Sequence, residues 1–132
     1  MHRIRRALDG DDGSAPVEFV LVGVLLTFLA LAVLQLGLAL HIRNTVLDAA
    51  AEGARYGALA DNAPTDAGTR AAELIATAVG PGFADDVEVR EEQWMGAPVV
   101  VVRVRATLPL VGLLGVDRGL EVEGHAARER LE

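Results

Sequence analysis

A single carboxylate, Glu18, lies one residue before a long uncharged apolar stretch. From Phe19 to Leu40 the only strongly polar side chains are Thr27 and Gln35. At ~1.5 Å per residue this stretch makes a helix of ~33 Å, which is enough to cross the hydrocarbon core of a bilayer. An acidic group near hydrocarbon costs on the order of 2 kcal/mol or more unless it finds a partner or reaches water. The position of Glu18 therefore indicates a functional role in a membrane-anchored protein.

An arginine-containing leader, residues 1–13, precedes the apolar stretch. It ends at Gly13, and Glu18 is the fifth residue after that glycine. This spacing resembles the type IV prepilin signal, in which a membrane aspartyl protease cuts after the glycine on the cytoplasmic side. In that family the glutamate pairs with a free N-terminal amine during filament assembly. The resemblance implies that cleavage follows Gly13, that Ser14 becomes the N-terminus and that Glu18 is the assembly glutamate.

Glu18 and Phe19, followed by VLVGVLL, resemble in particular the TadE-like minor pilins or pseudopilins of tight-adherence (Flp) pilus systems. So does AAAEGARYGAL, residues 49–59, which continues the helix beyond the membrane. The resemblance implies a structural role in assembling or priming such a pilus, a cell-adhesion organelle. The implied partners are the membrane, a prepilin peptidase, other pilins or pseudopilins and the pilus assembly platform. The implied location is the cytoplasmic (inner) membrane, in a single pass with the C-terminal head extracytoplasmic, and the cell surface or pilus after assembly.

Two other kinds of N-terminal segment share some of these features. In an uncleaved signal anchor, Gly13 is a turn residue and Glu18 a solvated carboxylate at a helix N-terminus, where the helix dipole favours it. Such a protein would use an extracytoplasmic head to bind a ligand or an envelope partner, and a leader that stays attached identifies it. A secretory signal peptide has an apolar core of about 7–15 residues. The longer run here favours an anchor.

Composition limits the remaining possibilities. The chain has 132 residues, a formal net charge of −7 and no cysteine, so it contains no disulfide and no thiolate site. It has no lysine and no basic cluster after residue 6, which argues against a nucleic-acid partner. Once the leader and the span are set aside, roughly 70 residues remain, near the lower limit for an independent core. We expect the anchor helix to complete that core.

Motifs for enzyme chemistry are missing from the sequence. The three histidines, His2, His41 and His125, are scattered, and no metalloprotease, nucleophile-elbow, phosphate-loop or dinucleotide motif occurs. The acidic residues between Asp85 and Glu92 are typical of a solvated strand edge. The sequence therefore predicts no catalytic residues, no metal site and no cofactor. Trp94 and Met95 at the hairpin tip could form a small contact patch, but Trp94 is expected to be buried.

Small residues recur along the predicted helix. Gly23, Ala30 and Gly37 repeat every seven residues and are candidates for a seam that packs against a partner helix in the membrane. Farther along, Gly53 and Gly57 each cost a helix about 1 kcal/mol relative to alanine, which suggests that another backbone packs against them. An alternative is that they begin to fray the helix before its end.

The last part of the chain predicts one helix and three strands. The helix would have Asp66 as its N-cap and would stop at residues 80–82. Strands are predicted at 87–94, 99–108 and 120–126, with a turn at 96–97 that sets Val89 opposite Val104 and Glu88 opposite Arg105. Between the last two strands, residues 109–116 form an uncharged loop that could cover the core, touch the membrane surface or meet another subunit.

Together these features predict an α+β, pilin-like fold. A long N-terminal transmembrane helix would pack its second half on a small head of one helix and a three-stranded antiparallel sheet. The expected organisation is a leader at 1–13, a long helix at 14–60 with 19–40 crossing the membrane, and a head at 61–132.

Overall fold

One long helix precedes a second helix and three strands. The computed structural model describes residues 13–110 and 114–130, and it confirms the predicted α+β class. Helix α1 is followed by helix α2, a short 3₁₀ turn and an antiparallel sheet in the order β1-β2-β3. The described chain divides between Leu36 and Gly37 into two compact units. The elements are α1 Ser14–Ala58, α2 Pro64–Ala78, the 3₁₀ turn Pro81–Phe83, β1 Asp86–Trp94, β2 Ala97–Leu110 and β3 Leu114–Ala127.

The first unit contains the amino-terminal part of α1, whose large apolar side chains are exposed. Its sequence is rich in leucine, alanine and valine, and its one proline, Pro16, lies in the first turn, where a missing N–H is tolerated. The Thr27 hydroxyl donates a hydrogen bond of 2.8 Å to the carbonyl of Gly23, so this polar group is satisfied within the helix. The exposed apolar surface therefore needs a cover from outside the unit.

The carboxyl-terminal part of α1 forms one wall of the core in the second unit. Ile42, Val46, Ala50 and Ala54 recur every four residues and are buried, as the helical period requires for one face. The same core contains buried residues from α2, β2 and β3, and the partly buried Val87 and Val89 of β1 pack against it. The largest of its fully buried side chains are Ile75, Leu120, Val46, Val100, Val102 and Val104.

Helix α2 approaches α1 closely at Gly53 and Gly57. A Cβ atom placed on Gly53 would lie 2.6 Å from the carbonyl oxygen of Ala67 and 2.7 Å from the Cβ of Ala71. A Cβ on Gly57 would collide with Ala67 as well, at 3.0 Å from its backbone nitrogen. Helix α2 therefore packs directly against both glycines, and no larger side chain fits at either position while the helices keep this separation.

The sheet approaches α1 through a third glycine, Gly124 of β3. A Cβ on Gly124 would overlap the backbone of Ala50 and Ala51, at 2.5 Å from the Ala50 carbonyl oxygen. Helix α2 covers the same face of the sheet at β1, where Gly68 lies against Val89. The two helices thus cover one face of the sheet, α1 over β3 and α2 over β1.

Helix α2 starts slightly earlier than predicted. Its N-cap is Ala63 and its first residue is Pro64, a position that suits proline because no N–H is needed there. Asp66 is therefore not the N-cap. It is the third residue of the helix, and its carboxylate accepts a 2.8 Å hydrogen bond from the N–H of Ala63.

The β1–β2 register differs from the prediction by two residues. Val87 pairs with Val104 and Asp86 with Arg105, whereas Val89 had been expected opposite Val104. The turn has Met95 and Gly96 as its two central residues, both with positive φ, at 50° and 82°. Two positive φ angles are typical of the tight hairpin turns whose twist matches that of the strands. Because the shift is even, every side chain stays on its predicted face.

Strands β2 and β3 are longer than predicted and pair across the segment expected to be a loop. Leu108 pairs with Val116 and Leu110 with Leu114, so most of residues 109–116 belong to the end of a hairpin, with residues 111–113 outside the described chain. The pairing is irregular between Ala106, which pairs with Leu120, and Leu108. The strands therefore make a bulge near the charged residues of β3 before the hairpin continues.

Ion pairs cover the face of the sheet that the helices leave open. Arg103 of β2 contacts Glu123 on β3 through its Nε and one terminal nitrogen, and Arg90 of β1 reaches the same carboxylate at 3.2 Å. Arg105 lies 3.4 Å from Glu88. The hydrogen bond from Arg103 is the largest influence on Glu123, and despite some burial it holds the pKa of that carboxyl below its usual 4.5. Ion pairs between neighbouring strands therefore hold the charged side chains of this face in place.

The chain after β3 returns to the end of α1. The N–H of Glu129 donates a 2.9 Å hydrogen bond to the carbonyl of Ala58, the last residue of the helix. The Glu129 carboxylate accepts a 3.4 Å bond from the N–H of Ala60. A helix end leaves carbonyl groups without helical partners, so this contact satisfies one of them.

The close approach of α1 and α2 predicts that Gly53→Leu destabilises the head. The new side chain meets backbone atoms of Ala67, which cannot rotate away, and overpacking of this kind costs about 1–3 kcal/mol. Urea unfolding of the detergent-solubilised chain, followed by circular dichroism, measures the change. Gly37→Leu is the matched control, because no atom lies within 4 Å of a Cβ at that position in the same helix. Equal midpoints for the two variants would contradict the prediction.

The lowered pKa of Glu123 predicts an acid-sensitive contribution to stability. The ionised carboxylate stabilises the fold above its unfolded-state pKa of about 4.5, and this contribution is lost as the pH falls through the lower folded-state pKa. Glu123→Gln should therefore lower stability at neutral pH and flatten the loss of stability below about pH 4.5. Arg103→Met should flatten the same part of the curve, since it removes the largest cause. An unchanged acid limb in both variants would refute the assignment.

Candidate functional site

The predicted processing and assembly residues lie together at the start of α1. Gly13 is exposed, and the helix begins at the next residue, Ser14. Glu18 follows four residues later, one turn along the same face, and it is exposed. Within the described part of the chain, nothing lies within 4 Å of a Cβ placed on Gly13. The peptide bond after Gly13 is thus at a helix boundary, with a carboxylate one turn beyond it; leader residues 1–12 lie outside the described chain.

The helix that follows could cross a membrane. By length and composition α1 qualifies as a candidate span, and no part of its apolar window is buried within the protein. A core helix of a water-soluble domain would be mostly buried, and this one is not. Each large apolar side chain from Val17 to Leu40 is about half exposed or more. A lipid environment is the cover that fits such a surface on every side.

The small residues predicted to form a membrane seam lie on one side of α1. Gly23, Ala30 and Gly37 are seven residues apart, close to two helical turns, so they share a face that drifts by about 20° per step. A Cβ on Gly23 or Gly37 would meet no atom within 4 Å. This face is open, whereas Gly53 and Gly57 are already covered by α2.

A groove lies at one corner of the sheet, on the face away from the helices. It encloses about 480 Å³ and combines an indole, an imidazole and a carboxylate with small apolar residues. Trp94 is 70% exposed, so the prediction that it is buried is wrong. The reason is its place in β1, where it pairs with Ala97 at the last position before the turn and on the uncovered face. The lining residues are Glu92, Trp94, Val99, His125, Ala126 and Ala127.

Three residues with defined structural roles were missed by the sequence-based prediction. Gly124 lies within the predicted third strand, but nothing in the pattern showed that α1 would lie on its backbone. Glu123 and Glu129 had no predicted partners. A glycine at an inner strand position is a signal for close backbone approach, and it could have identified Gly124.

Metal chemistry has no support in the described part of the chain. Among residues 13–110 and 114–130, no group of three or more histidine, aspartate or glutamate side chains could hold a metal ion. The charged residues of the sheet are instead engaged with arginines across the strands. The N-terminal region has three features with chemical potential. They are an accessible peptide bond after Gly13, an apolar helix that suits a membrane, and the exposed carboxylate of Glu18, which can pair with a cation.

Comparison with known proteins gives one match. A family model described as TadE-like protein matches residues 13–55, about a third of the chain. No curated protein and no solved structure matches the chain. The matched segment starts at Gly13, contains Glu18 and the whole candidate span, and ends in the part of α1 that packs on the head. The resemblance predicted from the sequence is thereby confirmed for residues 13–55, which are similar to TadE-like proteins and which contain the helix that is long and apolar enough to cross a membrane.

Proposed function

We propose that this protein is a minor pilin or pseudopilin that helps to assemble or prime a tight-adherence pilus. The observation that carries the proposal is the order of features in the TadE-like segment: Gly13, a helix that begins at Ser14, an exposed Glu18 and then an exposed apolar helix. The protein is a structural component and not an enzyme. Its head is a folded α+β unit, which suits a minor component better than a main subunit consisting of little more than a helix.

Maturation would begin with cleavage by a prepilin peptidase. The cut after Gly13 removes the leader and creates an ammonium group on Ser14. The exposed glycine and the helix start directly behind it support this site, because a protease needs an accessible peptide bond. The mature protein stays in the cytoplasmic membrane as a single-pass chain with its head outside the cytoplasm.

Assembly would then depend on Glu18. As the apolar helices of two subunits slide together, the ammonium of Ser14 on one subunit neutralises Glu18 of its neighbour. Desolvation of both charges offsets much of their attraction, so the pair mainly fixes the register between subunits. The partners are other pilins or pseudopilins and the pilus assembly platform, and the open face at Gly23, Ala30 and Gly37 is the proposed seam for a neighbouring helix in the membrane.

The groove at Trp94 supports a second candidate function. If the leader is retained, the protein is a signal-anchored membrane protein whose extracytoplasmic head binds a ligand or an envelope partner. The favouring observation is an open cavity of about 480 Å³ beside an indole that is 70% exposed. The mass of the mature chain separates the two functions.

We predict that the mature protein begins at Ser14 when it is co-expressed with its peptidase, and that Gly13→Val blocks the cut. Valine branches at Cβ and cannot enter a protease subsite shaped for glycine. Intact mass of the membrane-extracted protein reports the result directly. Gly10→Val, three residues earlier in the leader, is the matched control and should be processed normally. Full-length chain alone, in the presence of active peptidase, would remove the processing claim.

We also predict that Glu18→Val leaves cleavage and membrane insertion intact but impairs assembly. Loss of one partner from a buried ion pair costs about 3 kcal/mol or more, which lowers association on the order of a hundredfold. Pilus yield and crosslinks between subunits measure the loss. Thr27→Val is the control, since its hydroxyl bonds only to Gly23 of its own helix. Normal assembly of the Glu18 variant would show that the carboxylate merely marks the membrane boundary.

A further inference from the structure

The turn that joins β1 to β2 exposes two large apolar side chains that do not pack in the core. Trp94 is 70% exposed and Met95 is 94% exposed. The backbone of Met95 has a φ of 50°, a conformation in which asparagine, aspartate or glycine is favoured. A methionine there costs conformational energy and gains no burial. Such residues are candidates for contact with another molecule, and methionine adapts readily to a contact surface.

The groove beside Trp94 combines an aromatic ring, a carboxylate and an apolar surface. Glu92 and Trp94 are alternate residues of β1, so their side chains lie on the same face of the sheet. Val99 pairs with Glu92 on one side and with Ala127 on the other, so apolar side chains continue from the carboxylate across the groove. All four residues line the same space of about 480 Å³.

The carboxylate of Glu92 shares its cation with a second carboxylate. One terminal nitrogen of Arg90 lies 3.4 Å from Glu92 and 3.2 Å from Glu123, and it donates a hydrogen bond to Glu123. The imidazole of His125 also faces Glu123, at 3.6 Å. The Glu92 side chain is 49% exposed, so a further cation can approach it from outside the protein.

The open face of the sheet as a whole carries an excess of negative charge. Among its described side chains, five carboxylates lie with three guanidinium groups. They are Asp86, Glu88, Glu92, Glu121 and Glu123, with Arg90, Arg103 and Arg105. This face would repel an anionic occupant, and a purely apolar one would remove water from Glu92 without replacing it. The groove therefore suits a ligand with an apolar stem and a cationic end.

We propose that the groove binds an arginine or lysine side chain of a partner protein. The aliphatic stem would lie over Val99 and Ala127, and the cationic head would reach Glu92. The indole of Trp94 would cover that head through a cation–π contact, for which tryptophan is the best of the aromatic side chains. The inference rests on the second candidate function for its site and names the ligand of that site, but it applies whether or not the leader is cleaved.

The test uses the full chain in a non-ionic polyoxyethylene detergent, which brings neither charge nor sugar to the groove. Trp94 is the only tryptophan in the sequence, so tryptophan emission reports on the groove alone. The probe is a blocked glycine–arginine–glycine tripeptide. It is compared with tripeptides that carry glutamine, norleucine or glutamate in place of arginine, and with maltose as a sugar.

We expect the arginine peptide to change the emission of Trp94 in a saturable, salt-sensitive way and the glutamate peptide to leave it unchanged. Glu92→Gln should weaken binding of the arginine peptide by up to about fivefold at low ionic strength, the share that an exposed ion pair contributes. Glu73→Gln is the matched control. It removes a carboxylate that is 65% exposed on α2, which covers the opposite face of the sheet, and it should leave binding unchanged.

A second measurement tests the aromatic ring itself. The anisotropy of an arginine peptide that carries a fluorescent label does not depend on tryptophan emission, so it can be used with Trp94→Leu. This variant should bind the peptide more weakly than the unmodified chain. Tyr56→Leu, which removes a half-exposed ring from α1, is the control and should bind normally. Circular dichroism confirms that both variants are folded.

Equal affinity of Glu92→Gln and Glu73→Gln for the arginine peptide would overturn the proposal. A response to glutamine, norleucine or maltose as strong as that to arginine would also overturn it, but the groove would still bind a ligand and the second candidate function would survive. If no probe changes the emission of Trp94, the proposal and that candidate function both fail, and the minor-pilin function is unaffected. Emission that changes with protein concentration alone would place a second copy in the groove and would likewise overturn the proposal.

Discussion

The head depends on how closely other backbones can approach the carboxyl-terminal part of α1. Gly53 and Gly57 admit α2, and Gly124 admits α1 onto the sheet. Around these contacts the core is built from alanine and valine, with Ile75 and Leu120 as its largest fully buried members. Small side chains have few or no rotamers with which to adjust, so their packing requires that the backbones lie at defined separations. The carboxyl-terminal part of α1 thereby has a defined position relative to α2 and to the sheet.

Much of this arrangement could be predicted because it follows from local pattern. The four-residue recurrence of Ile42, Val46, Ala50 and Ala54 and the alternation of the strands identify elements and faces directly. The uncharged run after Glu18 identifies the span. The N-terminal segment is a single helix, so the spacing of its residues in the sequence also gives their spacing along the helix axis. That is why the TadE-like resemblance could be recognised from residues 13–55 alone.

The parts that could not be predicted involve contacts between elements. The predicted hairpin register was wrong by two residues. A two-residue turn that contains Gly96 can consist of residues 95–96 or of residues 96–97, and the positive φ of Met95 in the structure identifies the first. The partner of Gly53 was uncertain because a helix and a sheet both need an apolar wall. Trp94 was expected inside because of its size, yet it lies on the face that no helix covers. Residues 109–116 were taken for a loop because proline and glycine interrupt the strand pattern there.

The hydrogen bond between Glu129 and Ala58 has a consequence for how the chain is made. The ribosome finishes α1 long before β3, and the two elements that meet at Ala50 and Gly124 are more than seventy residues apart in the sequence. Contacts of such high sequence separation form late. Until β3 emerges, the buried side of α1 has only α2 to cover it, and its last turn lacks the partner that Glu129 supplies. During that interval the part of α1 around Ala50 and Ala51, which later meets Gly124, stays uncovered by the sheet. The addition of β3 closes this part of the core, so the head is complete only when nearly the whole chain has been made.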